Sequence, residues 1–347
     1  LAEAMLNVSG VSSRVGTIED GTTVSDFEPE EIRRQGSSQT SLLPCPWRDH
    51  KLNILDTPGY ADFRGEVISA ARVSDAAVII LDGPSGVEVG TQQMWKLANE
   101  RKLPRLVFIS KMDRENADFN RAMESLTEKF GRQCIAISIP IGSEASFSGI
   151  VDLLDSTCPI PDSMLEEVEN ARERLIESVA ETNDDLSTKF LEGEELTPEE
   201  ISAGLKQGIT NGSIIPVLSG GSPSGIGVKE LMNAIVDYLP SPGDRPAENA
   251  KLTGADEQVT LSTDGEGPLC ALVFKTSADP FVGKLSLFRV YGGTLESHSQ
   301  LWNANKSSSE RVGQLFSVVG KEQNPVSTLV TGDLGAVAKL SSVLTGD

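Results

Sequence analysis

The chain has 347 residues, of which 38% are hydrophobic and 23% charged, and its formal net charge at pH 7 is −21. This composition is typical of a folded protein with room for two domains; it excludes a disordered chain and argues weakly against a nucleic-acid partner. The longest apolar runs, such as residues 76–81, are far shorter than the roughly 20 residues that cross a bilayer. We therefore expect a soluble cytoplasmic protein that has no membrane partner.

The cysteines do not indicate a metal site. The four cysteines are scattered along the chain without a C-x-x-C pair, and the chain has only two histidines. This pattern favours reduced, mostly buried thiols over a zinc centre or a disulfide framework.

Residues 51–139 alternate between short apolar runs and segments with helical spacing. The predicted strands are "KLNILDT", "AAVIILDG", "RLVFISKMD" and "CIAISIP", and the predicted helices lie at 87–102 and 116–131. A further strand, "SIIPVLSG", and a further helix, "GVKELMNAIVDYL", continue the pattern at 213–239. Such alternation predicts an α/β fold, with a parallel-rich sheet and helices on both faces.

The acidic segment at about 145–212 interrupts this pattern. It is amphipathic and favours helices, and "LTPEE" at 196–200 is a helix start with a threonine cap and an early proline. We predict a helical subdomain inserted into the sheet domain, whose surface is either solvated or a protein-binding face.

The last third of the chain has a different sequence pattern. Residues 246–265 follow a proline-rich stretch and are predicted to be a linker. From 266 to 347, short β-like runs broken by glycine turns predict a small all-β barrel. Here Lys275, Lys284 and Arg289 offer local positive charge, and we expect solvated surface positions for them.

The first candidate site is "DTPG" at 56–59, directly after a predicted strand. In an open α/β sheet, ligands bind beyond the carboxyl ends of the strands. Asp56 would there hold Mg²⁺ through water, and the Gly59 amide would reach a terminal phosphate. The alternative is a routine Asp-x-x-Gly turn after a strand.

The second candidate site is "SKMD" at 110–113, in the equivalent position after another strand. Asp113 offers two acceptor oxygens to adjacent N–H donors such as those of guanine, while the stem of Lys111 would cover the ring. The alternative is a solvated Lys and Asp at a strand end. A third strand ends in "SGGS" at 219–222, where small residues let backbone amides approach a base.

These motifs identify a resemblance. The stretches "EDGTTVSDFEPEE", "DTPGYADF", "SKMDRENADF", "SFSGIVDLL" and "VDYLPSP" resemble bacterial translation elongation factor G over nearly the whole chain. They look closest to a divergent, elongation-factor-G-like branch that carries tyrosine after Asp-Thr-Pro-Gly. The resemblance implies a P-loop GTPase-type domain at 1–245 with its inserted subdomain, followed by domain II of a translation factor.

The resemblance also implies roles for individual residues. GTP or GDP and Mg²⁺ would be the ligands, with the ribosome as partner through its RNA, its stalk protein and its small subunit, and the factor would be a monomer. The metal would be held by Asp56 and by the hydroxyl of Ser37, and Tyr60 would be the candidate catalytic residue. The implied nucleotide-binding residues are Asp56, Thr57, Pro58, Gly59, Tyr60, Ser110, Lys111, Met112, Asp113, Gly221 and Ser222.

The sequence also departs from the family pattern. The family's phosphate loop would lie just before Leu1, and we expect a fragment that lacks this loop and the C-terminal domains and is itself inactive. The segment "RRQGSSQTS" at 33–41 differs from the family's switch sequence, and Ser110 replaces the usual asparagine. Tyr60 stands where the main branch has histidine, so that hydrolysis would be slower or differently triggered, or the tyrosine would merely pack under the switch.

The sequence therefore predicts a translational GTPase that couples GTP hydrolysis to ribosomal translocation. Two alternatives remain open: a GTP-binding, ribosome-associated module with little or no hydrolysis, and a related release or ribosome-protection GTPase. A non-translational ATPase is disfavoured because Lys111 and Asp113 favour guanine.

Overall fold

The computed structural model describes residues 1–251, 258–279, 283–340 and 342–347. Its first part is built on a parallel sheet covered by helices, and its second part is all β. The predicted fold class is confirmed, whereas the predicted domain boundaries stay predictions.

The first part contains strands and helices in alternation. Its strands are β1 (Ser41–Trp47), β2 (His50–Asp56), β3 (Ala77–Asp82), β4 (Arg105–Ser110), β5 (Cys134–Ala136), β6 (Ser138–Ile141), β7 (Gly149–Asp152) and β8 (Ile215–Ser219). Its helices are α1 (Ala2–Val8), α2 (Pro29–Arg34), α3 (Arg64–Arg72), α4 (Val89–Glu100), α5 (Phe119–Phe130), α6 (Leu165–Ala180), α7 (Asp184–Leu191), α8 (Pro198–Asn211) and α9 (Val228–Tyr238).

The central sheet has the order β3-β4-β8-β5, and all its pairs are parallel. Every residue of β4 is buried, because helices cover both faces of a parallel sheet. Since β3, β4 and β8 point the same way, Asp82, Ser110 and Ser219 end their strands at one edge of the sheet.

Two apolar runs behave differently from the sequence prediction. β2 does not join the parallel sheet but pairs antiparallel with β1, because the connecting residues Arg48 and Asp49 both adopt positive φ and close a two-residue hairpin. The run at 134–140 is split: β5 joins the parallel sheet, and β6 forms a hairpin with β7.

The helices of the predicted insertion are α6, α7 and α8. As predicted, Thr197 caps α8, with its hydroxyl accepting a hydrogen bond from the Glu200 amide at 3.3 Å. No helix among the described residues is both long and apolar enough to cross a bilayer.

The second part consists of antiparallel strands. These are β9 (Asn249–Lys251), β10 (Gln258–Thr260), β11 (Cys270–Asp279), β12 (Gly283–Gly292), β13 (Thr294–Glu296), β14 (Gln300–Asn303), β15 (Ser308–Arg311), β16 (Leu315–Val319), β17 (Glu322–Val326), β18 (Thr328–Val330) and β19 (Leu334–Ala338). A five-stranded sheet has the order β11-β12-β19-β16-β17, and the other strands form two-stranded ribbons. The β9–β10 ribbon lies within the predicted linker at 246–265.

The two parts pack directly against each other. Leu42 of β1 and Val73, just after α3, share an apolar cluster with Phe274 and Leu287 of the all-β part. The Gly320 amide also donates to the Leu42 carbonyl at 3.0 Å. The segments around β1 and α3 therefore pack against the all-β part.

Candidate functional site

The loops after β4 and β8 form one group of predicted site residues. The Met112 amide donates to the Gly220 carbonyl at 3.2 Å, and the Gly220 amide donates to the Ile109 carbonyl at 2.9 Å. The hydroxyls of Ser110 and Ser222 lie 3.2 Å apart. The structure thus brings together the two loops that the sequence assigned to a base.

Asp113 is the most informative residue of this group. Its Oδ1 atom is buried, and within the described residues no group forms a hydrogen bond with it. A Cβ added to Gly221 would lie 2.9 Å from this oxygen and 3.1 Å from the Phe147 ring, so only glycine leaves the approach open. A buried, unpaired carboxylate oxygen is costly unless a ligand supplies donors, and guanine carries two adjacent N–H donors.

Lys111 and Met112 connect this carboxylate to the sheet. Met112 is fully buried, and Lys111 adopts a left-handed backbone with φ of 60°. The Lys111 ammonium lies 2.8 Å from the carboxylate of Asp82, a residue that the sequence analysis missed. Burial alone would raise the pKa of Asp82, but the Lys111 ammonium and the Ser85 hydroxyl hold it below its usual range. The position of Asp82 at the end of a neighbouring parallel strand was the sequence signal that could have identified it.

The second group is the loop at 56–60, which holds Asp56, Thr57, Pro58, Gly59 and Tyr60. Pro58 is buried and Gly59 is exposed, and a Cβ at Gly59 would meet nothing within 4 Å. Burial raises the pKa of Asp56 to about 6; the nearby Asp26 and Glu3 act in the same direction, while the Ser25 hydroxyl opposes them.

The surroundings of Asp56 are rich in oxygen atoms. The hydroxyl of Ser37, the predicted metal ligand, lies near the Asp26 carboxylate, whose Oδ1 is buried and has no hydrogen-bond partner within the described residues. Carboxylate and hydroxyl oxygens suit Mg²⁺, so the donor chemistry fits this ion. In the part of the chain that the structure describes, however, no three acidic, histidine or cysteine side chains converge as a ligand set. Water and phosphate oxygens would have to complete the coordination.

Tyr60 is held only loosely. It is 66% exposed, and its ring lies against the backbone of Gly36, where an added Cβ would be 3.3 Å away. The side chain therefore faces the segment at 19–41 without being locked by packing.

Two glutamates that the sequence analysis missed hold this segment. The Glu31 carboxylate is 1% exposed and accepts hydrogen bonds from the amides of Ser38 at 2.8 Å and Gln39 at 3.0 Å. Glu3 of α1 accepts one from the Val24 amide at 2.8 Å. Only the Glu28–Glu31 capping box, visible in "EPEE", was a local sequence signal.

The expectation that the cationic residues of the all-β part are solvated was wrong for Lys275 and Arg289. Both are buried, because each forms an ion pair across the boundary between the two parts: Lys275 with Glu66 at 2.9 Å and Arg289 with Asp75 at 2.7 Å. The Lys284 ammonium donates to the Val343 carbonyl within the all-β part.

Comparisons with known proteins agree with this geometry. Residues 1–241 match the family model of the elongation factor Tu GTP binding domain, and residues 268–347 match that of elongation factor G domain 2. A crystal structure of a protein from Thermus thermophilus matches 99% of this chain with 29% identity and a TM-score of 0.86. The match covers 51% of that protein, so the chain spans about half of its length.

Proposed function

The chain belongs to the family of the elongation factor Tu GTP binding domain, and from this premise we propose that it acts as a translational GTPase of the elongation factor G type. GTP would be bound and hydrolysed in the cytoplasm on the ribosome, and the cycle would serve translocation. The domain limits predicted above, 1–245 and 266–347, would be the units of this factor, and it would act as a monomer.

The unpaired carboxylate oxygen of Asp113 carries the proposal. A base whose edge presents two adjacent N–H donors would satisfy this oxygen, whereas adenine presents no such pair. A site of this kind rejects the wrong base by a factor of about 10⁴, because its buried polar group would otherwise stay unpaired. Lys111 would leave Asp82 to cover the ring, and Ser110 and Ser222 would complete the pocket.

The loop at 56–60 and the segment at 19–41 would respond to the terminal phosphate. Gly59 is exposed and its amide would donate to a phosphate oxygen, while Asp56 and Ser37 would hold the Mg²⁺ shell. Bound Mg²⁺ would neutralise phosphate charge. Release of these contacts after hydrolysis would loosen both segments, as in other nucleotide switches.

One observation favours a second candidate function. Tyr60 is exposed and packs only lightly against Gly36, so a GTP-dependent ribosome-binding module with little hydrolysis is the alternative. In that case the stalk protein and the small subunit would still be the partners.

The test is GTP binding and turnover by the intact protein, with and without ribosomes. We expect GTP and GDP to bind and ATP to fail, and Asp113→Asn to lose at least about 100-fold in GTP affinity, because it removes a charge-assisted acceptor. The matched control Glu115→Gln changes an exposed acid two residues away and should bind as the wild type does.

The outcomes separate the candidates. Turnover that ribosomes stimulate supports the translational GTPase, and tight GTP binding without turnover supports the binding module. Equal affinity for ATP and GTP, or an Asp113→Asn protein that binds GTP normally, contradicts both.

A further inference from the structure

Lys275 lies at the meeting point of three segments. It belongs to β11 of the all-β part, is 9% exposed, and directs its ammonium away from that part. The ammonium donates to the Thr40 carbonyl at 3.0 Å and to the Glu66 carboxylate at 2.9 Å. A single side chain therefore bridges the all-β part to two places in the first part.

Thr40 belongs to one of the segments that would sense the terminal phosphate, and Glu66 lies in the helix that follows the other, the loop at 56–60. Thr40 stands at the end of the segment at 19–41, and Glu66 lies in the first turn of α3, six residues after Tyr60. The Thr40 amide donates to the same carboxylate of Glu66 at 2.7 Å. The carboxylate and the ammonium thus join the segment at 19–41, helix α3 and strand β11 in one network.

A break in the strand register places Lys275 there. Val273 pairs with Phe288 and Lys275 pairs with Leu287, so Phe274 is an extra residue in β11. Strict alternation would turn Lys275 to the side of Val273, which is buried in the core of the all-β part. A bulge redirects side chains, and here both Phe274 and Lys275 face the first part of the chain.

A second cation fixes the far end of α3. Arg289 of β12 donates to the Val73 carbonyl at 2.7 Å and to the Asp75 carboxylate at 2.7 Å. Helix α3 is therefore attached to the all-β part at both ends. Lys275 differs from Arg289 because it also holds Thr40, and so reaches both the segment at 19–41 and the helix that follows the loop at 56–60.

We propose that Lys275 is a positioning residue for the GTP-dependent switch, tying the segment at 19–41 and the start of α3, just after the loop at 56–60, to the all-β part. The inference rests on the proposed function. A buried ammonium with two oxygen partners contributes charge-assisted hydrogen bonds. Removing the ammonium leaves the Thr40 carbonyl and the Glu66 carboxylate without this donor. The ordered arrangement is then less stable, while the base pocket at Asp113 stays intact.

The test compares Lys275→Met with Lys51→Met in the intact protein. Lys51 also forms an ion pair across the boundary, with Asp333 at 2.7 Å, but that pair involves neither Thr40 nor Glu66. For Lys275→Met we expect kcat on ribosomes and the preference for GTP over GDP each to fall at least about tenfold, because the variant loses both charge-assisted hydrogen bonds of the ammonium. GDP affinity should stay within about twofold of wild type, and Lys275→Arg should recover most of the activity because it keeps the charge.

The outcomes distinguish a positioning role of Lys275 from a merely structural ion pair. Loss of GTP preference in Lys275→Met, with Lys51→Met normal, supports the inference. Normal turnover in Lys275→Met overturns it, as does an equal loss of GTP and GDP affinity that follows the melting temperature in both lysine variants, because a merely structural ion pair would act that way. A wild-type protein that binds no GTP overturns the proposed function and this inference with it, whereas active wild type with unaffected Lys275→Met overturns the inference alone.

Discussion

At the scale of single residues, the candidate base pocket depends on the absence of a side chain at position 221. Gly221 has ordinary backbone angles, so glycine is required there by space and not by conformation. The carboxylate of Asp113 and the hydroxyl of Ser224 would lie 2.9 Å from its Cβ, and the ring of Phe147 3.1 Å, all closer than ordinary van der Waals contact. The carboxylate is the part that a base must reach.

We therefore predict that Gly221→Ala weakens GTP and GDP equally, by about tenfold or more, because the methyl group displaces the acceptor that both nucleotides share. Isothermal titration with each nucleotide measures this. Gly90→Ala is the control, since a Cβ there meets nothing within 4 Å and the helix α4 should gain slightly in stability. Unchanged affinity in Gly221→Ala would show that the base does not lie beside Asp113.

Tyr60 provides a second prediction at this scale. If its phenol orients the attacking water, Tyr60→Phe should lower kcat on ribosomes by about tenfold and leave GTP affinity and stability unchanged, because the ring is retained and the side chain is exposed. Single-turnover hydrolysis with saturating GTP is the measurement. Equal rates in both proteins would assign Tyr60 to packing against Gly36.

At the scale of elements, the segment at 19–41 has little regular structure beyond α2, yet it is ordered by buried carboxylates. Glu31 satisfies backbone amides on both sides of itself: Glu28 at 3.2 Å, and Ser38 and Gln39 farther along the chain. A short helix of six residues would not be stable alone. The side-chain network supplies the hydrogen bonds that a longer helix would otherwise form within itself.

Glu31→Ala should therefore loosen this segment before it affects the rest of the fold. We expect hydrogen exchange at the Ser38 and Gln39 amides to become at least about tenfold faster and the free energy of unfolding to fall by about 2 kcal/mol, because these half-buried amides lose their charged acceptor. Glu30→Ala is the control, as Glu30 is exposed and its ion pairs are with the exposed Arg33 and Arg34. Exchange that stays slow in Glu31→Ala would mean that the segment is held elsewhere.

Elements with a regular hydrophobic period were predictable from the sequence, and those with irregular geometry were not. Helices α4, α5 and α9 and strands β3, β4 and β8 follow from apolar spacing alone. The pairing of β2 with β1 did not follow from apolar spacing, because it depends on positive φ angles at Arg48 and Asp49. Such angles are uncommon outside glycine. The bulge at Phe274 likewise could not be predicted from the residue types around it.

At the scale of the whole molecule, the sequence predicted two kinds of structure but not how they meet. The nearness of Asp113 to Gly221 was predictable, since both follow parallel strands that end at one edge of the sheet. The contacts of Lys275 and Arg289 were not, because a lysine or arginine in a β-like run is usually solvated. Their acidic partners also lie 209 and 214 residues earlier in the chain. Only the assembled structure brings Glu66 and Asp75 to them.

The stability of the contact between the two parts should therefore depend on pH. Burial alone would raise the pKa of Glu66, but the Thr40 amide and the Lys275 ammonium lower it below its ordinary value of 4.5. A carboxylate with a lowered pKa stabilises the folded form at every pH above that ordinary value, and the contribution disappears as the pH falls through the lower, folded-state pKa.

Glu66→Gln should cost about 1–2 kcal/mol of unfolding free energy at pH 7 and progressively less below the ordinary carboxyl pKa, as the wild type also becomes neutral there. Denaturant unfolding of both proteins from neutral pH to about pH 3 measures the difference across the range in which such carboxyls titrate. Glu322→Gln, at an exposed strand position, is the control that should match wild type throughout. A gap between Glu66→Gln and wild type that stays constant over this range would mean that the charge of Glu66 does not hold the two parts together.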